Sequence, residues 1–386
     1  MLAPSLKQEM FGETPPGFFV GHNSYPNVYW GPMVSLESVK DEPKDLYKMT
    51  LEGILESRAS VVRGMRKGNV NAPAGRMLSD AQEAMMSIRP VDVEARFSKT
   101  PHFSLELDEI AHPAGASAPI ERFTVADNPL IPKKVDEFCN ENLPAKEALD
   151  ELLMSGFDVH YLSKLLTSGI LGKKDRRKLV PTKWAITATD DMAAKRLMES
   201  VRDCRELEEI RVYSNEYLDN RFAILLLPGA WEYEQFEALL TSEIEKRKKD
   251  RQDAAGISIS HSAWEDWKRD GRVNVSFEYE PYFGRSDYAK RQGGGYYAAR
   301  FAVCEALYRM RRQARVSVFR EIGTGYSIPV GVWEVRENVR HAFQNEPEKF
   351  ASREEALRYL GLGLSVPIEE YAKKSRILAQ RRLTEF

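Results

Sequence analysis

The longest strongly apolar run in the chain is Phe222 to Leu227, six residues of the sequence FAILLL. A bilayer crossing needs about twenty such residues, so the run reads as a buried strand and no membrane partner is expected. Its neighbours extend the sheet. Two β-rich runs flank Asp219-Asn220, which predicts a hairpin over Ile210 to Leu227. Strict alternation in Val91-Asp92-Val93-Glu94-Ala95-Arg96-Phe97 gives a further strand, with Asp92, Glu94 and Arg96 on one face and Val91, Val93 and Phe97 on the other.

The aromatic, proline- and glycine-rich first forty residues read as short strands and tight turns. Apolar spacing predicts helix within residues 44–65, and Ser79-Asp80 looks like the cap of another running to about Ile88. A strand is expected near Ile120 to Val125. Helices follow at about 145–155 and 157–168, ended by Gly156 and Gly169. Lys183 to Thr189 reads as a strand, with Thr189-Asp190-Asp191 capping a helix to about Cys204. Residues 242–255 form a charged helix end or insertion, and Val273 to Phe277 continues the sheet. The three glycines 293–295 break it ahead of a helix over Tyr296 to Gln313. Strands at Arg315 to Ile322 and Ile328 to Trp333 close the core. Ser352-Arg353-Glu354-Glu355 is a capping box, and Ser365 to Glu369 starts a second short helix.

These elements alternate without a regular βαβ rhythm, so the expected class is α+β: a mixed sheet core with surrounding helices. Residues 1–346 form the core, in two lobes of about 1–130 and 131–346. Residues 347–386 form a helical C-terminal extension that ends in a protruding tail.

Lys and Arg number 56 against 58 Asp and Glu, a net charge of −2, so the chain is no bulk polyelectrolyte and any DNA contact is local. The basic clusters are 173–178, 246–251, 309–315 and 373–382. Cys139, Cys204 and Cys304 lie far apart and form no C-x-x-C pair, so no zinc site is expected and all three read as ordinary thiols. The start, MLAPSLKQEM, lacks the basic and apolar regions of a signal peptide, which points to the cell interior.

Gln380-x-x-Leu383-x-x-Phe386 has the spacing of sliding-clamp-binding peptides, in which the leucine and the aromatic share one side of a helical turn and fill an apolar pocket. The alternative is that both side chains fold back onto their own core. Five Lys or Arg against one Glu in residues 371–386 would steer the segment toward an acidic partner surface.

For chemistry, Asp190 and Asp191 stand where a strand end would meet a helix N-terminus, beside Lys183 and Trp184, which could hold a phosphate and a base. The plainer reading makes one aspartate a helix cap. Asp92 and Glu94 beside Arg96 form either a metal or general-base site or a solvated, ion-paired face. His22 lies in an aromatic turn. Arg285, Lys290 and Arg291, the glycines Gly293, Gly294 and Gly295, and Tyr296 and Tyr297 suggest phosphate contact with base stacking, or simply a flexible loop. No H-E-x-x-H, G-x-S-x-G or P-loop is present.

Beyond these patterns the chain resembles the Nre family of archaeal DNA-repair proteins, most closely its NreA branch. The resemblance runs through Phe19-Val20-Gly21, Tyr25-Pro26, Gly31-Pro32-Met33, residues 91–97, Pro181 to Thr187, Leu227-Pro228-Gly229 with Trp231, Gly293 to Arg300, and Arg320-Glu321-Ile322. Many relatives carry a cysteine-rich, zinc-binding module ahead of the segment matching Met1 to Leu6, and these residues have no counterpart of it. The resemblance implies a DNA-repair role, with the sliding clamp PCNA bound through the tail. The leading reading of the residues is a repair factor at the nucleoid that engages DNA or a damaged nucleotide in a pocket built from segments 183–191 and 285–300. Two alternatives stay open. One is a hydrolase that removes an adduct with carboxylate-activated water, with or without a divalent metal. The other is a non-catalytic adaptor between the clamp and other repair proteins.

Overall fold

The computed structural model describes residues 6–14, 17–39, 41–102, 105–240, 257–259 and 275–379. The chain divides into two compact units, one of residues 1–193 and 256–260 and one of 194–255 and 261–386.

In the first unit the strands are β1 (Glu9–Thr14), β2 (Phe18–Val20), β3 (Asn27–Ser35), β4 (Val61–Asn69), β5 (Val91–Phe97), β6 (Leu105–Leu107) and β7 (Ser117–Val125). A six-stranded sheet runs in the order β1-β5-β7-β4-β3-β2, and β1 also pairs with β3. That extra pairing, Glu13 opposite Ser35, makes β1, β3, β4, β7 and β5 a closed ring. Around the ring only β4 and β7 run parallel; the other neighbours are antiparallel. The ring closes through glycine: a Cβ on Gly12 would lie 2.0 Å from the Ser35 carbonyl oxygen, and one on Gly31 would lie 2.2 Å from that of Gly64.

Helices α1 (Pro43–Leu46), α2 (Leu51–Ala59), α3 (Arg76–Met86), α4 (Lys133–Asn140), α5 (Ala145–Met154) and α6 (Val159–Thr167) belong to this unit. α3 leaves β4 and returns to β5. Its buried Met77, Leu78, Ala81, Ala84 and Met85 join the same core as Val28, Trp30, Val62, Val93 and Phe123 of the ring. α6 is buried along its whole length. As the glycines predict, Gly156 and Gly169 follow α5 and α6 at φ of 92° and 70°.

The expected helix within 44–65 stops at Ala59, because Val61 and Val62 pair with Ser35 and Val34 as the start of β4. A larger correction concerns Lys183 to Thr189, which is helix and not strand. α7 runs over Thr182–Arg202. Its local β-branched content is outweighed by the buried positions Ala185, Thr189, Ala193, Leu197 and Val201, which recur every fourth residue and favour one helix face. Asp190 and Asp191 therefore lie within α7 and do not cap its start.

The second unit contains β8 (Ile210–Tyr217), β9 (Asn220–Leu227), β10 (Glu232–Leu239), β12 (Val275–Glu280), β13 (Arg315–Ile322) and β14 (Glu348–Phe350), in the sheet order β12-β10-β13-β9-β8-β14. β11 (Ile257–Ile259) belongs to the first unit, where it pairs in parallel with β6. The β8–β9 turn is Leu218-Asp219, both at positive φ. Helices α8 (Gly293–Met310) and α9 (Trp333–Ala342) pack on each other. α10 (Arg353–Gly363), α11 (Ile368–Ala372) and the segment to Leu378 share a core with Leu225, Phe236 and Phe319 of the sheet. Ser352 caps α10 as expected, its hydroxyl accepting from the Glu355 N–H at 3.2 Å.

Two expectations fail here. The glycines 293–295 form the first turn of α8 and do not precede it. Ile328 to Trp333 is not a strand: Pro329 has no N–H for a ladder, Gly331 sits at φ 102°, and Trp333 opens α9. Residues 242–255 lie outside the described residues.

Candidate functional site

A cleft of about 340 Å³ opens in the first unit, lined by residues from β2, β3, β4, α6, the start of α7 and the connections around them. Among its lining residues is Asp41, 8% exposed. Arg58 Nη1 meets one of its oxygens; Lys164 Nζ, at 2.9 Å, and His160 Nε2, at 3.5 Å, meet the other.

Each partner is held by its element. Thr50 caps α2, accepting from the Gly53 N–H at 3.2 Å, and Arg58 in the last turn donates to the Pro113 carbonyl at 3.1 Å. Asp158 caps α6 through the His160 N–H at 2.8 Å. His160 and Lys164 are four residues apart, so they share one helix face. On β4, Arg63 pairs with Glu106 at 2.8 Å and stacks over Phe19, 4.1 Å from the ring centroid. Lys183 pairs with Asp108, whose other oxygen accepts the N–H groups of Ile110 and Ala111. Thr182 accepts the Val20 N–H at 2.9 Å, tying the start of α7 to β2.

Burial by itself would raise the Asp41 pKa, but the adjacent Lys164 and Arg58 hold it well below the usual carboxylate range. His112, whose ring lies 5.3 Å from that of His160, is held well below the ordinary histidine value by burial, partly opposed by Asp41, with Arg58 adding to the depression. It is a neutral imidazole at neutral pH. Burial and then Lys183 also lower His22, against the pull of Asp108. Asp41, His112 and His160 are the residue types of a two-histidine, one-carboxylate metal set. Both oxygens of Asp41 already face cations, however, and the described residues contain no group of three or more such side chains placed to hold a metal. Its lining carries four cations, Arg58, Arg63, Lys164 and Lys183, against three carboxylates, Asp41, Glu106 and Asp108, and each cation is paired with one of those carboxylates.

Of the residues singled out from sequence, His22 and Lys183 line this cleft, while Asp92, Glu94, Arg96, Asp190 and Asp191 do not. Arg96 instead lies 3.8 Å from Glu9 and 3.5 Å from Glu121 on an exposed strand face. Asp190 is fully buried and Asp191 half-buried. Trp184, 48% exposed, packs on Tyr25 with ring centroids 5.2 Å apart.

The 285–300 segment is arranged differently from the expected phosphate loop. Tyr296 and Tyr297 are buried and cannot stack on a base; the Tyr296 hydroxyl donates to Glu280. Gly294 and Gly295 are buried as well, and a Cβ on Gly295 would come 3.1 Å from Glu237. Arg285 pairs with Glu278 at 2.9 Å, and Glu278 also accepts the Arg291 N–H. Lys290 and Arg291 are exposed. The clamp-type residues Gln380, Leu383 and Phe386 lie outside the described residues.

Asp41, Arg58, Arg63, His112, His160 and Lys164 were not singled out from sequence. The one readable signal was His160 and Lys164 at four-residue spacing in a helix otherwise apolar enough to be core.

Fold and cleft together define an α+β protein of two units with a charged cleft in the first. The chain belongs to the Nre family: the family model described as "Archaeal Nre, N-terminal" matches residues 2–244 and "Archaeal Nre, C-terminal" matches residues 280–386. It is 33% identical over 390 residues to the DNA repair protein NreB of Archaeoglobus fulgidus, covering 99% of this chain and 93% of that protein. It is 35% identical over 359 residues to NreA of the same organism (91% and 84%) and 30% identical over 383 residues to NreA of Haloferax volcanii (96% and 86%), both also named DNA repair proteins. No solved structure matches. The two family segments are not two structural units, because β13 of the second lies in the sheet between β9 and β10 of the first.

Proposed function

We propose that this protein is a DNA-repair factor of the cell interior, recruited to the sliding clamp PCNA by Gln380 to Phe386 and engaging DNA or a damaged nucleotide through the first unit's cleft. Relatives named as DNA repair proteins over 91–99% of the chain support the repair role. Among the described residues no helix is long and apolar enough to cross a membrane.

The observation that carries the clamp reading is how the tail is approached. Buried Glu321 accepts the N–H groups of Ser365 and Val366, each at 2.8 Å, and the Tyr371 hydroxyl at 2.9 Å. Buried Glu234 accepts from Ser375, Arg376 and Ile377. The chain is thus tied to the sheet as far as Leu378, Ala379 is exposed, and the seven residues with clamp-peptide spacing follow directly.

Changing Leu383 and Phe386 to alanine should weaken clamp binding more than tenfold, since burying each side chain in a partner is worth about 1.5–3 kcal/mol. Calorimetric titration of purified clamp checks this, with thermal unfolding alongside. A lowered melting temperature with unchanged clamp affinity would mean that the two side chains serve their own core. A hydrolase reading is supported by the His112 ring lying 5.3 Å from that of His160 at the Asp41 cluster, with burial pushing the His112 pKa down.

A further inference from the structure

The closed ring of the first unit has a particular connectivity. Taken in chain order, its strands β1, β3, β4, β5 and β7 are joined around the ring as first-second-third-fifth-fourth-first. The third and fifth are parallel, every other pair is antiparallel, and a helix, α3, links the third to the fourth. That is the connectivity of an OB-fold, the five-stranded barrel that binds oligomers across its second and third strands between the first and fourth connections.

The cleft lies at that address. Its floor has Tyr29 and Met33 from the second strand and Arg63 and Met65 from the third. The first connection carries Phe19 and His22 to one side of it, and the fourth carries Glu106, Asp108 and His112. Fold alone does not assign a ligand, but the side chains on this face are specific in kind. Tyr29 is 52% exposed and pairs in register with exposed Lys67. Tyr25 and Trp184, 41% and 48% exposed and in contact, follow within two residues of the cleft-lining Asn23 and Lys183. Large aromatics left in water beside an exposed lysine are what unpaired bases and their phosphates recognise, whereas a duplex hides its base faces. An uncharged oligosaccharide would have no use for the exposed Lys67 beside Tyr29.

We propose that this barrel face binds single-stranded DNA, with bases stacked on Tyr29 and on the Tyr25–Trp184 pair and backbone phosphates met by Lys67 and Lys183. The inference rests on the reading that the protein engages DNA and names the form and the surface.

The test is fluorescence anisotropy with the full chain, using a labelled single strand of about 12 nucleotides and the duplex of the same sequence. The single strand should bind at least tenfold more tightly. Tyr29→Ala and Trp184→Ala should each lower its affinity about fivefold or more. Lys67→Gln should reduce the slope of log affinity against log salt by about 0.7. All three positions are exposed, so thermal unfolding should be unchanged. Duplex binding that equals or exceeds single-strand binding, or affinity indifferent to all three substitutions, overturns the proposal while the DNA reading stands. If neither nucleic acid binds, both fall, and the clamp titration is unaffected by either outcome.

Discussion

Replacing Asp41 with alanine should destabilise the first unit by about 3–5 kcal/mol, the usual cost of removing one partner from a buried ionic cluster. Arg58 and Lys164 are 2% and 8% exposed, and both point their charge at this carboxylate. Without it two buried cations lose their shared carboxylate, and Glu42, 3.9 Å from Lys164, compensates in part. Denaturant unfolding measures the loss. The double variant Asp41→Ala with Lys164→Met should lose less than the sum of the single changes, because the second substitution removes one of the charges that the first strands. A loss under about 1 kcal/mol for Asp41→Ala would mean that water screens the cluster as at a surface.

Glu321→Ala should be comparably severe in the second unit. The carboxylate is fully buried and is the acceptor for two backbone N–H groups and the Tyr371 hydroxyl. Val366 and Tyr371 are buried, and each of their donors left without a partner costs about 1–3 kcal/mol, whereas exposed Ser365 can turn to water, so the substitution puts several kcal/mol at stake. The local consequence is specific. Val366, Tyr371, Ile377 and Leu378 are held against Phe236 and Phe319 of the sheet, and loss of the tie should release them together. Limited proteolysis should then cut first within residues 364–378, at protease levels that leave the parent chain whole. Cleavage elsewhere, or none, would show that apolar packing holds this segment without the carboxylate.

Much of the fold was legible where pattern and environment agree. The alternation of 91–97 survives in β5, the 210–227 hairpin turns within a residue of the expected place, and Gly156, Gly169 and the Ser352 cap act as their types predict. The failures have a common cause. Trp184-Ala185-Ile186-Thr187 is β-like taken alone, and only the four-residue recurrence continuing to Val201 reveals a helix. Three adjacent glycines suggest a loop, but Gly295 is small because Glu237 and Arg320 lie against it. The ring of the first unit was unreadable for another reason: β1 meets β3 through a close approach at Gly12, a tertiary event with no local signature. The cleft was half-visible for the same reason. His22 and Lys183 stand in conspicuous surroundings, whereas Asp41, Arg58, His112 and Lys164 come from separate segments that only the fold assembles.

The central claim is that this chain serves DNA repair from the sliding clamp, and survival after DNA damage tests it most directly. Cells lacking the gene would be given back the parent chain, the chain ending at Ala379, or the Tyr29→Ala, Trp184→Ala variant, and exposed to a DNA-damaging agent. The account predicts that the null strain is sensitised, that the parent chain restores survival, and that both altered chains fail at normal protein levels. A null strain as resistant as its parent would contradict the repair role, and full rescue by the chain ending at Ala379 would contradict recruitment through the tail.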